Sequence, residues 1–223
     1  MNPRPKKLQV LRWLPDRWVS THGPRRGRTL HLTFDDGPHP EHTPALLDLL
    51  AEHRARATFF LIGEQAELHP RTVERILREG HTLGNHSWSH PRFERLALAE
   101  QREEIERTDR LLERFDGLPR HDFRPPRGVM PRSMLIDCIR RGRRIAYWSY
   151  DSLDYSRRPA AELIASARRH PPRPGEILLL HDDGGLALEL LAAMLPAWAA
   201  DGFAFEPLPT GTKDVDATNG GAA

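Results

Sequence analysis

The 223-residue chain has a single cysteine, Cys138, so no disulfide framework is possible, and the helix-like run MLIDCIRRG makes it an inert, buried thiol. Lysine is almost as scarce. Lys6, Lys7 and Lys213 are the only lysines among 33 basic residues, so arginine carries the positive charge. With 31 acidic residues the net charge is only +2, and the arginines are scattered through helix-like segments, so no nucleic-acid binding is expected. No apolar run is long enough to span a bilayer. The first residues are basic but lack a continuous apolar stretch and a small-residue cleavage site, so a cytoplasmic protein is expected. There is no G-x-S-x-G elbow, P-loop or dinucleotide fingerprint, which leaves serine-hydrolase and nucleotide chemistry unsupported.

The residues present divide the chain into three parts. Residues 1–28 read as a basic leader in which Leu8, Leu11, Leu14 and Trp18 recur at helical spacing; a helix docked on the domain is favoured over an interfacial helix on anionic lipid, because Pro15 interrupts the pattern. Residues 29–209 alternate short β-like runs with helix-like segments. The strands are expected in TLHLTF, ATFFLI, HTLGN, HDFR, RIAYWSY, EILLLH and, more weakly, FAFEP. Between them lie helices punctuated by Pro44, Gly80 and Gly117. About seven such alternations predict βα units around a parallel sheet, closed or nearly closed into a barrel. The polar stretch 210–223 reads as a disordered tail.

Chemistry-bearing residues fall where these strands end. Asp35 and Asp36 close the first strand, His86 and His90 follow the third, and Arg124 ends the fourth. Asp151 and Asp154 follow the fifth, and His181, Asp182 and Asp183 end the sixth. In a parallel barrel these ends share one face, where the active sites of such folds lie. Two histidines four apart, as on one side of a helical turn, can aim two imidazoles at one metal ion. A third ligand is then expected from Asp35 or Asp36, whose neighbouring side chains point to opposite faces of the strand, leaving the other acid free to accept a proton. Two histidines and one carboxylate leave coordination positions open, the mark of a catalytic site.

Taken in order, TFDDGP, HSWSH, FRPPRG, DSLDY and LLLHD resemble the motifs of the polysaccharide deacetylases of the NodB-homology type, the family 4 carbohydrate esterases. The resemblance runs from about Leu30 to Asp183. It implies a distorted (β/α) barrel holding a divalent cation, usually Zn2+, and a hydrolase that removes an N-acetyl group from an N-acetylated carbohydrate. It also implies roles: Asp35 as general base, Asp36, His86 and His90 as metal ligands, Arg124 as the residue orienting Asp35, and His181 as general acid set by Asp154. The backbone N–H of Arg127 would meet the developing oxyanion. Arg127 stands where family members commonly carry an aromatic residue, and Tyr155 where they carry tryptophan, so both bear on the sugar-facing wall; an arginine there could bind an anionic substituent or lie in solvent.

Alternatives with similar groups are a deformylase of a lipid-linked amino sugar and a small-molecule amidase. A catalytically silent carbohydrate-binding domain would be expected to have lost Asp35, Arg124 or His181, and all three are present.

Overall fold

In the computed structural model, which describes residues 3–5, 11, 13–24, 27–156 and 158–209, the barrel is built around the longest strand, β2 (Thr29–Asp35). Its residues alternate between two environments. Leu30, Leu32 and Phe34 pack outward against helices, while Thr33 and Asp35 meet Arg124 on the inner side. One face of the sheet is therefore covered by helices and the other encloses a lumen.

β2 lies between β3 (Ala57–Leu61) and β7 (Ile177–His181), all parallel; β4 (Thr82–Asn85) extends the sheet beyond β3 and β6 (Tyr150–Asp151) beyond β7. β8 (Ala204–Phe205) pairs with the start of β2. Phe123 bridges Asn85 on one side and Ile145 on the other, and β5 (Ile145–Ala146) pairs with β1 (Val19–Ser20). The segment 145–151 thus reaches from the Phe123 side to β7 and completes the ring. Helices α1 (His42–Glu52), α2 (Gly63–Leu68), α3 (Pro70–Arg78), α4 (Leu98–Asp116), α5 (Arg132–Arg140), α6 (Ala160–Arg169) and α7 (Leu186–Ala200) lie between the strands in the chain.

Two apolar layers hold this arrangement. The outer one joins Leu32, Phe34, Phe59 and Leu180 to Leu46, Leu50, Leu191 and Trp198 of α1 and α7. The inner one gathers Phe60, Phe93, Phe123, Ile145, Trp148 and Leu179. Each such side chain, fully buried, contributes roughly 1.5–3 kcal/mol. Cys138 belongs to the inner layer, and burial pushes its thiol up to about 12, so it is inert at neutral pH.

The expected parallel barrel is found, with local differences. HDFR is not a continuous strand; only Phe123 makes bridges, because the chain there is held at single points between β4 and β5. RIAYWSY splits into β5 and β6, since its two ends pair with different neighbours. Helix α2 was not expected. Within the segment read as a leader, Val19–Ser20 joins β5, and Leu11, Leu14 and Trp18 pack on the inner layer. Leu8 and residues 210–223 lie outside the described residues. No described helix is long and apolar enough to cross a membrane.

Candidate active site

Asp35, the last residue of β2, is register partner to Phe60 on β3 and His181 on β7. Its Oδ1 accepts a hydrogen bond from Arg124 Nη1 at 2.7 Å. Arg124 is fully buried and spends its other donors on Thr33 Oγ1, the Ala146 carbonyl and the Tyr147 carbonyl, while its plane stacks over Phe60. A guanidinium fixed at this many points cannot swing away, so the Asp35 carboxylate is oriented from below by a permanent charge. Its second oxygen lies 3.8 Å from His86 Nε2.

The next residue turns sharply. Asp36 has φ 78°, which sends its side chain away from that of Asp35 and toward His86 and His90. Its Oδ1 lies 3.3 Å from His86 Nε2 and 3.4 Å from His90 Nε2, and ligand atoms of the three residues all fall within 4.8 Å of one another. The trio fits a divalent cation in three ways. Asp36 Oδ1 is buried without a hydrogen-bond partner among the described residues. His86 Nδ1 bonds the Arg124 carbonyl at 2.8 Å, which fixes the tautomer with Nε2 free to ligate. Burial, aided by nearby His86, lowers His90 to about 4, so its ring is neutral at pH 7. Burial alone would raise the Asp36 carboxyl, but His86 and His90 outweigh it, and Asp36 stays ionised.

The two histidines do not share a helical turn. Residues 86–90 form an irregular loop in which Ser87 (φ 70°) and His90 (φ 54°) are left-handed. Contacts hold this unusual backbone: the His90 N–H donates to Ser87 Oγ, and the Gly63 and Glu64 amides donate to the Ser87 and Trp88 carbonyls. A Cβ at Gly63 would strike the Trp88 ring at 2.4 Å, so this close approach needs glycine. Among the described residues, five of the six non-glycine residues at positive φ, namely Asp36, Ser87, His90, Arg127 and Leu153, lie on these strand-end loops. Such strain clusters where function over-determines the backbone.

His181 ends β7. Its ring Nδ1 meets Asp154 Oδ1 at 2.8 Å and its backbone N–H donates to Asp154 Oδ2 at 2.7 Å. Burial by itself would lower this imidazole, yet the Asp154 carboxylate prevails and raises it to about 10, so it is held as a proton donor. Tyr155, 59 % exposed, meets the His181 ring in a T-shaped contact and bonds Asp151 through its hydroxyl. Arg127 is exposed, and its Nη1 reaches the His90 carbonyl at 3.4 Å.

The polysaccharide deacetylase family model matches residues 22–144, more than half of the chain. The chain belongs to the polysaccharide deacetylase family. It is 35 % identical over 207 residues to a peptidoglycan-N-acetylglucosamine deacetylase of Bacillus cereus, covering 89 % of this chain and 75 % of that protein. It is likewise 35 % identical to a chitooligosaccharide deacetylase of a Bradyrhizobium species, covering 82 % of this chain and 90 % of the other. A crystal structure of a peptidoglycan N-acetylglucosamine deacetylase in complex with 4-naphthalen-1-yl-N-oxidanyl-benzamide superposes with TM-score 0.80 at 34 % identity, covering 86 % of this chain and 91 % of that one. This polysaccharide deacetylase is therefore a hydrolase of a metal-dependent family, and its described residues bring together the side chains that the five motifs single out.

Two further residues support the deacetylase site without having been assigned a role from the sequence. Asp182 is fully buried, with its carboxyl pushed up to about 7 by burial; Thr43 donates to its Oδ2, and a Cβ at Gly37 would lie 2.1 Å from that oxygen. It therefore braces the loop that follows Asp35 and Asp36. Asn85, one residue before His86, is fully buried and matches an N-x-S glycosylation pattern that its burial disqualifies.

Proposed function

We propose that the chain removes the acetyl group from N-acetylated amino-sugar units of a glycan, with Asp36, His86 and His90 holding Zn2+, Asp35 as general base and His181 as general acid. One observation carries the reading. Asp35 and His181 are register partners on adjacent strand ends, beside a trio whose ligand atoms lie within 4.8 Å of one another. A proton acceptor and a proton donor thus flank one metal-binding point.

When bound, the cation would polarise the amide carbonyl and lower the pKa of water toward ~7. Asp35 accepts the proton as water attacks, and Arg124 keeps its carboxylate turned to the site. Charge developing on the amide oxygen is met by the Arg127 N–H, a fixed donor of the kind worth about 3 kcal/mol. His181, charged through its pairing with Asp154, protonates the departing nitrogen. Acetate and a free amino sugar result. Tyr155 and the Arg127 side chain form the walls against which the sugar lies.

Relatives named for peptidoglycan N-acetylglucosamine and for chitooligosaccharide share the N-acetylglucosamine unit, which supports that unit as the one processed here. The test is acetate release from N-acetylglucosamine oligomers and peptidoglycan fragments, with added zinc and with chelator, and formate release from N-formyl counterparts. Zinc-dependent acetate release is expected; release of formate alone, or turnover unchanged by chelator, would overturn the reading.

A further inference from the structure

The metal loop is tied to a polar cluster behind the barrel wall. Asn85 donates its side-chain amide to the Ile105 carbonyl and to Asp109 Oδ1, both at 2.8 Å and both on α4. Its side-chain oxygen accepts the Ser87 N–H at 2.9 Å. Asp109 is itself held: Oδ2 accepts from Arg143 at 2.5 Å, and Oδ1 meets His121 Nδ1 at 3.2 Å, while the far nitrogen of His121 meets Asp116 at 2.9 Å. Two cations and two carboxylates balance, with Asp109 and His121 buried and Arg143 and Asp116 at the cluster's edge, so Asp109 is a rigid anchor rather than a mobile surface acid.

The geometry points to Asn85 and Asp109 as positioning residues for the metal: acting through the Ser87 amide, they hold the left-handed loop that lets His86 and His90 converge with Asp36. This deepens the proposed function and rests on its metal site. Without the Asn85 oxygen the buried Ser87 N–H loses its acceptor, and the left-handed φ of 70° keeps only the contacts to the Ser87 and Trp88 carbonyls and to Ser87 Oγ. An amide at position 109 must turn its NH2 either toward Arg143, losing that bond, or toward Asn85 and His121, losing two, so at least one bond of the anchor fails. Groups that orient metal ligands in this indirect way typically change metal affinity by about 10–100-fold when removed.

The experiment measures Zn2+ affinity by chelator competition, and the visible spectrum of the Co2+-loaded protein, in the full chain. Asn85→Ala and Asp109→Asn are compared with Leu191→Ala, a control in the outer apolar layer. The expected result is an affinity loss of about tenfold or more and an altered Co2+ spectrum in the first two, with both properties unchanged in Leu191→Ala despite its lower melting temperature. Wild-type affinity and spectrum in either folded variant, or a loss no greater than in Leu191→Ala, would overturn the assignment. If Asn85→Ala does not fold, Asp109→Asn decides. Failure of the metal site itself is read separately, by His86→Ala retaining wild-type affinity.

Discussion

Asp35 and His181 stand opposite one another in register at the carboxyl ends of neighbouring parallel strands. Each is gripped by one buried partner of opposite charge, Arg124 for the acid and Asp154 for the imidazole. The proposed general base and general acid are therefore held apart although only a strand spacing separates their backbones.

Replacing Asp35 by Asn preserves shape and leaves the Asp36, His86 and His90 trio intact. Turnover is expected to fall by roughly three orders of magnitude or more while stoichiometric zinc is retained. Near-normal turnover in a metal-replete Asp35→Asn protein would end the role of this residue as base.

Loss of one imidazole from the three proposed ligands should empty the metal site. His86→Ala is expected to lose bound zinc by elemental analysis, and Asp36→Ala should behave alike. A His86→Ala protein that keeps one zinc per chain would refute the ligand set.

To serve as the proposed general acid His181 must be protonated, and its pKa of about 10 depends on Asp154. Activity governed by this group is present below that value and lost above it. In Asp154→Asn the pKa falls toward the ordinary histidine range, so the alkaline limb of kcat/KM moves down by more than one pH unit. An unmoved limb would show that another group sets it.

Arg127 has no carboxylate partner among the described residues, and it lies against the His90 carbonyl. If it receives an acidic substituent of the sugar, Arg127→Ala will raise KM for an anionic N-acetylated oligosaccharide about tenfold while changing a neutral one little. Equal effects on both substrates would assign the side chain to solvent.

His121 lies buried between Asp109 and Asp116, and although burial alone would lower it, these carboxylates raise it to about 9. A raised folded-state value contributes stability fully below about pH 6.5, and that contribution is lost as pH rises through about 9. Between those limits the loss is on the order of 3 kcal/mol. The melting temperature should drop across this window, and His121→Gln should flatten the drop; parallel curves for the two proteins would contradict it.

Much of this was legible in the chain. Alternation in TLHLTFD separates Thr33 and Asp35 from Leu32 and Phe34, and the strand ends mark every side chain of the proposed machinery. The spacing of HSWSH pointed to convergence but to the wrong backbone. A helical turn and a left-handed loop both bring residues four apart together, and here the choice is made by Asn85, Gly63 and Glu64, none of which advertises its partner locally. Helix α2 was missed because six residues of GEQAEL carry no readable period. Asp182 went unassigned because its partner, Thr43, lies 139 positions away.

The family match ends at residue 144, yet β7 lies beyond it and borders β2 along five consecutive register pairs. A fragment trimmed to the matched segment would keep the three proposed metal-binding side chains and still expose the inner strand of its sheet as a raw edge. Such an edge recruits other chains. Trimming at that point is thus a route to aggregates rather than to a minimal metal-binding module.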